Sequence, residues 1–151
     1  MGWNKGRGLL GPLKPLIGDW ATLHGAGDGP AAAMRCARRF TPFGKDWIEL
    51  DARWQVGPDR EYREIALFGK GDDGALGCFS FTNDGKRSVG RLSDGSDVDS
   101  AAIAFEAQMP AGLARMIYWP RADDAPGFRF AVESRTKKGW NRFLLQEFGP
   151  A

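Results

Sequence analysis

Apolar and polar residues alternate along most of this chain. In 47–56, Ile48, Leu50, Ala52, Trp54 and Val56 fall on one face, and Glu49, Asp51, Arg53 and Gln55 on the other. In 102–109, Ile103, Phe105, Ala107 and Met109 oppose Ala104, Glu106 and Gln108. In 128–135, Phe128, Phe130 and Val132 oppose Arg129, Glu133 and Arg135. A period of two with one wet face marks strands of an antiparallel sheet. Turn clusters separate these segments at short intervals, among them Gly57-Pro58-Asp59, Asn83-Asp84-Gly85, Pro110-Ala111-Gly112 and Lys137-Lys138-Gly139. Such residues tolerate positive φ or preset a turn. The stretches between them run roughly 7 to 12 residues, which is strand length, and predict about ten strands.

One segment departs from this period. Leu9, Leu10, Leu13, Leu16 and Ile17 recur at near-helical spacing, but Pro12 and Pro15 limit them to a short turn. Residues 1–8 read as a flexible tail and 9–151 as one domain. No amphipathic stretch of helical length lies between strands, which excludes parallel crossover units. A meander of this many strands removes its edges by closing on itself. The predicted fold is therefore all-β: a single up-and-down antiparallel β-barrel of about ten strands with a short N-terminal helical turn. A sandwich is the competing layout, and it calls for long crossover connections that the evenly short gaps do not supply.

Composition narrows the function classes. A length of 151 residues suits one core, and ten Phe with six Trp suit strands. The net charge of +2 is scattered, too weak a field for nucleic acid. Two cysteines, Cys36 and Cys78, with a single histidine make no zinc spacing; two reduced thiols fit a cytoplasmic protein. No apolar run is long enough to cross a membrane, and Met1 to Pro15 lacks the apolar core of a signal peptide.

Gly18-Asp19-Trp20, opening the first strand, resembles the G-x-W signature of the calycins, the superfamily of lipocalins and fatty-acid-binding proteins. Gly139-Trp140-Asn141-Arg142 on the last strand is similar to the end of small bacterial calycin-like barrels. The resemblance covers nearly the whole chain in layout, and about ten strands is nearer the fatty-acid-binding barrels than the lipocalins. It implies a barrel that binds a small hydrophobic molecule. It also implies that Arg142 packs across Trp20 to close the barrel's base, a contact worth roughly 0.5–2 kcal/mol. The helical lid of the fatty-acid-binding proteins has no counterpart here, since only Gly25 to Pro30 lies between the first two strands.

Two motifs look chemical and are not. Gly69-Lys70-Gly71-Asp72-Asp73-Gly74 matches G-x-G-x-x-G, but a strand follows it where a dinucleotide site needs a helix N-terminus. It is a hairpin turn. Asp94-Gly95-Ser96-Asp97-Val98-Asp99 lacks the glycine and glutamate spacing of a calcium loop and reads as an acidic solvated turn. No serine or cysteine has a histidine placed by sequence, and no nucleophile elbow is present. No catalytic residue, metal or cofactor is assigned.

The candidate ligand-binding residues are His24, Arg38, Tyr62, Arg115 and Tyr118. His24 follows Trp20 by four residues, on the same side and about 13 Å further along the strand. Arg38 shares a face with Met34, Cys36 and Phe40, a costly place for a cation without a partner. That partner is either a ligand carboxylate, as the fatty-acid-binding resemblance implies, or an acid of the protein. Arg115, beside Leu113, Ile117 and Trp119, poses the same choice. Tyr62 and Tyr118 offer hydroxyls, although parity does not settle their direction. Small residues at Ala52, Gly77, Gly90 and Ala107 leave room inside a barrel of this size.

The function expected is non-catalytic binding of a small hydrophobic, fatty-acid-like and anionic molecule within the barrel. The alternatives are a homodimeric interaction barrel, pairing through Ala33, Ala37, Ala102 and Ala104, and a haem-binding barrel. Haem-binding calycins, the nitrobindins, take iron on a late histidine that this chain lacks.

Overall fold

The computed structural model describes residues 3–28 and 34–151, the side chains of 24–28 excepted. Ten strands follow in chain order: β1 (Gly18–Asp28), β2 (Cys36–Phe43), β3 (Trp47–Gly57), β4 (Arg60–Lys70), β5 (Leu76–Thr82), β6 (Arg87–Ser93), β7 (Ile103–Met109), β8 (Gly112–Pro120), β9 (Phe128–Thr136) and β10 (Gly139–Pro150). Each pairs antiparallel with its neighbours in sequence, and β10 returns to β1, so the sheet closes as an up-and-down barrel. A 3₁₀ turn over Gly11–Leu16 precedes β1, with Pro12 and Pro15 where the sequence places them. Among the described residues no helix is long and apolar enough to cross a membrane.

The predicted alternation becomes the inside and outside of the barrel. Ile48, Leu50, Ala52 and Trp54 of β3 are buried, as are Cys36, Arg38 and Phe40 of β2. One end of the interior is filled. Phe40, Phe68, Phe105, Phe128 and Phe148 are buried there together with Leu13 and Leu16 of the 3₁₀ turn. Each fully buried Phe or Leu contributes about 1.5–3 kcal/mol through the water-exposed area it removes. Trp20 lies at this end. Its indole N–H donates to the Leu16 carbonyl at 2.7 Å, and its ring meets Phe128 edge-on at 5.5 Å. Gly18 has φ 142°, and a Cβ there would stand 3.2 Å from the Trp20 ring, so a glycine two residues before the tryptophan is required.

A second, smaller core lies outside the barrel. The link between β6 and β7 folds back over Ala104, Ile117, Trp119, Ala131 and Leu145. Gly95 permits the approach, since a Cβ on it would come within 2.6 Å of Ile117. Asp97 of this link makes a two-pronged pair with Arg115, at 2.9 and 2.7 Å. The acidic turn is therefore docked, not solvated along its length. Trp3 is held against it by a hydrogen bond from its indole N–H to the Ala101 carbonyl at 2.8 Å. Ala104, expected on a subunit-pairing face, is fully covered by the chain's own link.

The G-x-G-x-x-G stretch is a turn between β4 and β5. It is closed by Gly71 N–H to Ala75 C=O at 2.8 Å and Gly74 N–H to Gly71 C=O at 2.9 Å.

Candidate functional site

Above the aromatic base, the inward faces of β2, β4, β5 and β8 bring four polar side chains together. The parity that buries Phe40 and Phe68 also turns Arg38, Glu64 and Ser80 inward, and Tyr118 follows from the register of β8 on β7 and β9. Arg38 Nη2 donates to the Tyr118 hydroxyl at 2.7 Å. The Ser80 hydroxyl donates to Glu64 Oε2, and Glu64 Oε1 stands 4.0 Å from Arg38 Nη2. Arg38 Nε and Nη1 are buried without a hydrogen-bond partner among the described residues. The guanidinium is instead enclosed by rings: its central carbon lies 4.2 Å from the Phe130 centroid, 5.2 Å from Trp54 and 5.5 Å from Tyr118. Those π faces supply part of what water would otherwise give the cation. Burial works against the charge, but Tyr118, Cys36 and Glu64 outweigh it, and Arg38 is held above the ordinary arginine range. Burial pushes the Tyr118 hydroxyl well up, against the pull of Arg38. Burial likewise raises Cys36 to about 11 and Cys78 further, so both thiols are protonated at neutral pH.

Above this cluster the barrel opens. A cavity of about 380 Å³ is walled by Met34, Val56, Met116, Val132 and Leu144, with Trp54, Glu64, Ser80 and Phe130 also in its lining. Trp54, Glu64, Ser80 and Phe130 are the lining residues that touch or adjoin Arg38, so they form its floor. Thr82, Lys86 and Arg87 stand where β5 turns into β6, and Lys86 and Arg87 are the only cations among the described lining residues. A recess of about 80 Å³ shares Glu64, Ser80, Ser88 and Met116 with the cavity and runs beside Gly90, Ala107 and Ala114. Gly90 and Ala107 thus leave the room their size implies. Gly77 lies instead along a larger hollow, about 620 Å³, outside the barrel between the 71–73 turn and the outer faces of β5 and β6. That hollow is bordered by Asp72, Asp73, Arg91 and Glu106, with Arg91 paired to Asp73 at 2.7 Å.

The candidate residues separate in space. Arg38 and Tyr118 are joined directly. Tyr62 stands at the mouth, 36 % exposed, with its ring 5.6 Å from Trp54. Arg115 faces outward, where Asp97 and Glu133 neutralise it and Trp140 stacks at 4.3 Å; its partners are acids of the protein. The His24 side chain lies outside the described residues. Arg142 does not reach Trp20. Trp20 pairs with Pro150, eight residues along β10 from Arg142, or roughly 26 Å at the rise of a strand. A register shift between Arg142 and Leu144 also turns Arg142 to the outer face, where it bonds Glu133 at 2.8 Å and covers Trp119 at 5.1 Å.

Glu64, Ser80 and Gln146 belong to the interior and were not among the candidates. Gln146 receives the Trp54 indole N–H at 3.4 Å and donates to the Met34 carbonyl at 3.1 Å. The signal for two of them was present: Glu64 shares the parity of Ala66 and Phe68, and Gln146 that of Leu144 and Phe148.

These features define a closed ten-stranded barrel with one packed half, one open half and a buried polar cluster between them. No family model matches the chain, and no curated protein does. Among solved structures it is similar to the crystal structure of Rv2717c from M. tuberculosis, with a TM-score of 0.58 and 17 % identity over 97 % of this chain and 99 % of that one. The likeness is one of fold.

Proposed function

We propose that the open half of the barrel holds a small hydrophobic molecule without transforming it, in the manner of a calycin-like binding barrel. The observation that carries this reading is the cavity of about 380 Å³, walled mainly by methionine, valine, leucine and aromatic side chains above a polar floor. That volume lies at the lower end of the usual range for ligand sites, roughly 300–1,000 Å³, and favours a short to medium chain over a long one. Apolar walls supply affinity at about 25 cal/mol per Å² covered. Lys86 and Arg87 at the rim suit an acidic head, so the tail points inward. This orientation reverses the expectation that Arg38 meets the carboxylate, because Glu64 already faces Arg38 and stands in the lining beside it.

Displacement of a fluorescent fatty acid by decanoate tests the reading. Saturable, stoichiometric displacement is expected; its absence across a panel of medium-chain amphiphiles sinks it. The subunit-pairing reading, expected through Ala33, Ala37, Ala102 and Ala104, loses Ala104 to the chain's own link, and Ala33 lies outside the described residues; it draws instead on the outer faces of β5 and β6, where Phe81 and Val89 stand 55 % and 64 % exposed. Sedimentation showing a monomer at high concentration removes it.

A further inference from the structure

We propose that Glu64 makes the cavity selective for amphiphiles whose inner end carries a hydrogen-bond donor, a hydroxyl or an amide N–H, and turns away a carboxylate at that end. The inference rests on the ligand-binding reading above and names the class of ligand that the site takes.

Ser80 spends its hydroxyl hydrogen on Glu64 Oε2, and Trp54 spends its indole N–H on Gln146. Arg38 directs Nη2 to Tyr118, and its 4.0 Å separation from Glu64 Oε1 is beyond hydrogen-bond reach. Oε1 therefore has no hydrogen bond from the described residues, although the Glu64 side chain lines both the main cavity and its recess and is only 14 % exposed. A carboxylate oxygen at the edge of a void takes a donor, either from water or from whatever displaces that water.

Three ligand ends then behave differently. A hydroxyl replaces the water and restores its hydrogen bond. A methyl end displaces the water and leaves Oε1 unmatched. A carboxylate adds a second negative charge beside Glu64, in a place where Arg38 already has Glu64 as its counter-ion. The outer end is governed separately by Lys86 and Arg87 at the rim. The class that satisfies both ends is a medium-chain acid bearing a hydroxyl or amide at the far end from its carboxylate.

Calorimetric titration of the whole protein with decanoate, ω-hydroxydecanoate and decanedioate tests this. The hydroxy acid should bind about tenfold more tightly than decanoate, the effect of one hydrogen bond to a charged acceptor, and decanedioate should bind most weakly. In Glu64→Gln the charge is gone while the shape stays, so decanedioate should gain on the hydroxy acid about tenfold or more. Ser80→Ala, which leaves both carboxylate oxygens unmatched, should widen the hydroxy acid's lead and serves as the second variant if Glu64→Gln does not fold. Equal binding of decanoate and ω-hydroxydecanoate overturns the selectivity and leaves the ligand-binding reading standing. An unchanged decanedioate ratio in Glu64→Gln overturns the role of Glu64. Failure of all three acids to bind overturns both readings together.

Discussion

Arg38 Nη2 and the Tyr118 hydroxyl meet at 2.7 Å across the barrel, joining β2 to β8, strands that are not neighbours in the sheet. Among the described residues Arg38 Nε and Nη1 have no hydrogen-bond partner, so this contact is the main polar anchor of the guanidinium. Tyr118→Phe therefore leaves the whole guanidinium to the surrounding rings and the loose Glu64 pair. A loss of about 1–3 kcal/mol in urea unfolding is expected. Arg38→Met combined with Tyr118→Phe removes both partners, so the double variant should cost less than the two single losses added together. Strict additivity in that cycle contradicts a direct coupling.

The outer network makes a prediction in pH. Asp97 is held below the ordinary carboxyl value of 3.8 by its hydrogen bonds from Arg115. A carboxyl depressed in the folded state binds its proton more readily when unfolded. Its stabilisation is complete above the unfolded pKa and is lost as pH falls through the folded one. Wild-type stability should hold down to about pH 4 and decline below it. In Asp97→Asn that acid slope should shrink, with the difference from wild type vanishing at the lowest pH where both still fold. An identical slope in the two proteins rules out the linkage.

Both thiols should be inert. Burial raises Cys36 to about 11 and Cys78 above that, which leaves almost no thiolate at pH 7. A disulfide-exchange reagent should label neither cysteine in the native protein and both in denaturant, read by intact-mass analysis. Rapid native labelling of Cys36 means that the inner face of β2 is open to solvent.

Filling the open half should separate binding from folding. Val132 lines the cavity, so Val132→Trp places an indole into the void instead of into packed core. The melting temperature should stay within about 4 °C, a change of roughly 1 kcal/mol for a domain of this size. Affinity for decanoate should fall at least about tenfold, a loss of roughly 1.4 kcal/mol. Unchanged affinity places the ligand elsewhere.

Much of this architecture was readable in advance because the inside and outside of a strand depend on a period of two, which is local. The inward set Ile48, Leu50, Ala52 and Trp54 follows from the alternation alone, and so does the inward turn of Arg38 between Cys36 and Phe40. The same rule pointed to Glu64 beside Ala66 and Phe68, and the polar letter there concealed an interior residue. Where one extra residue enters a strand, the rule fails. The register shift before Leu144 sends Arg142 outward, and nothing in Trp140-Asn141-Arg142-Phe143 announces it.

By itself the sequence determined the strands, their antiparallel order, their closure and which side chains of most strands face inward, because turn chemistry and pleat act between near neighbours. The tertiary structure alone decided that Arg38 reaches Tyr118, that Asp97 clamps Arg115 and that Ala104 lies beneath the link between β6 and β7. It also decided that the interior is packed at one end and hollow at the other. These depend on the stagger with which ten strands close and on the sum of all inward volumes, quantities that no local pattern carries.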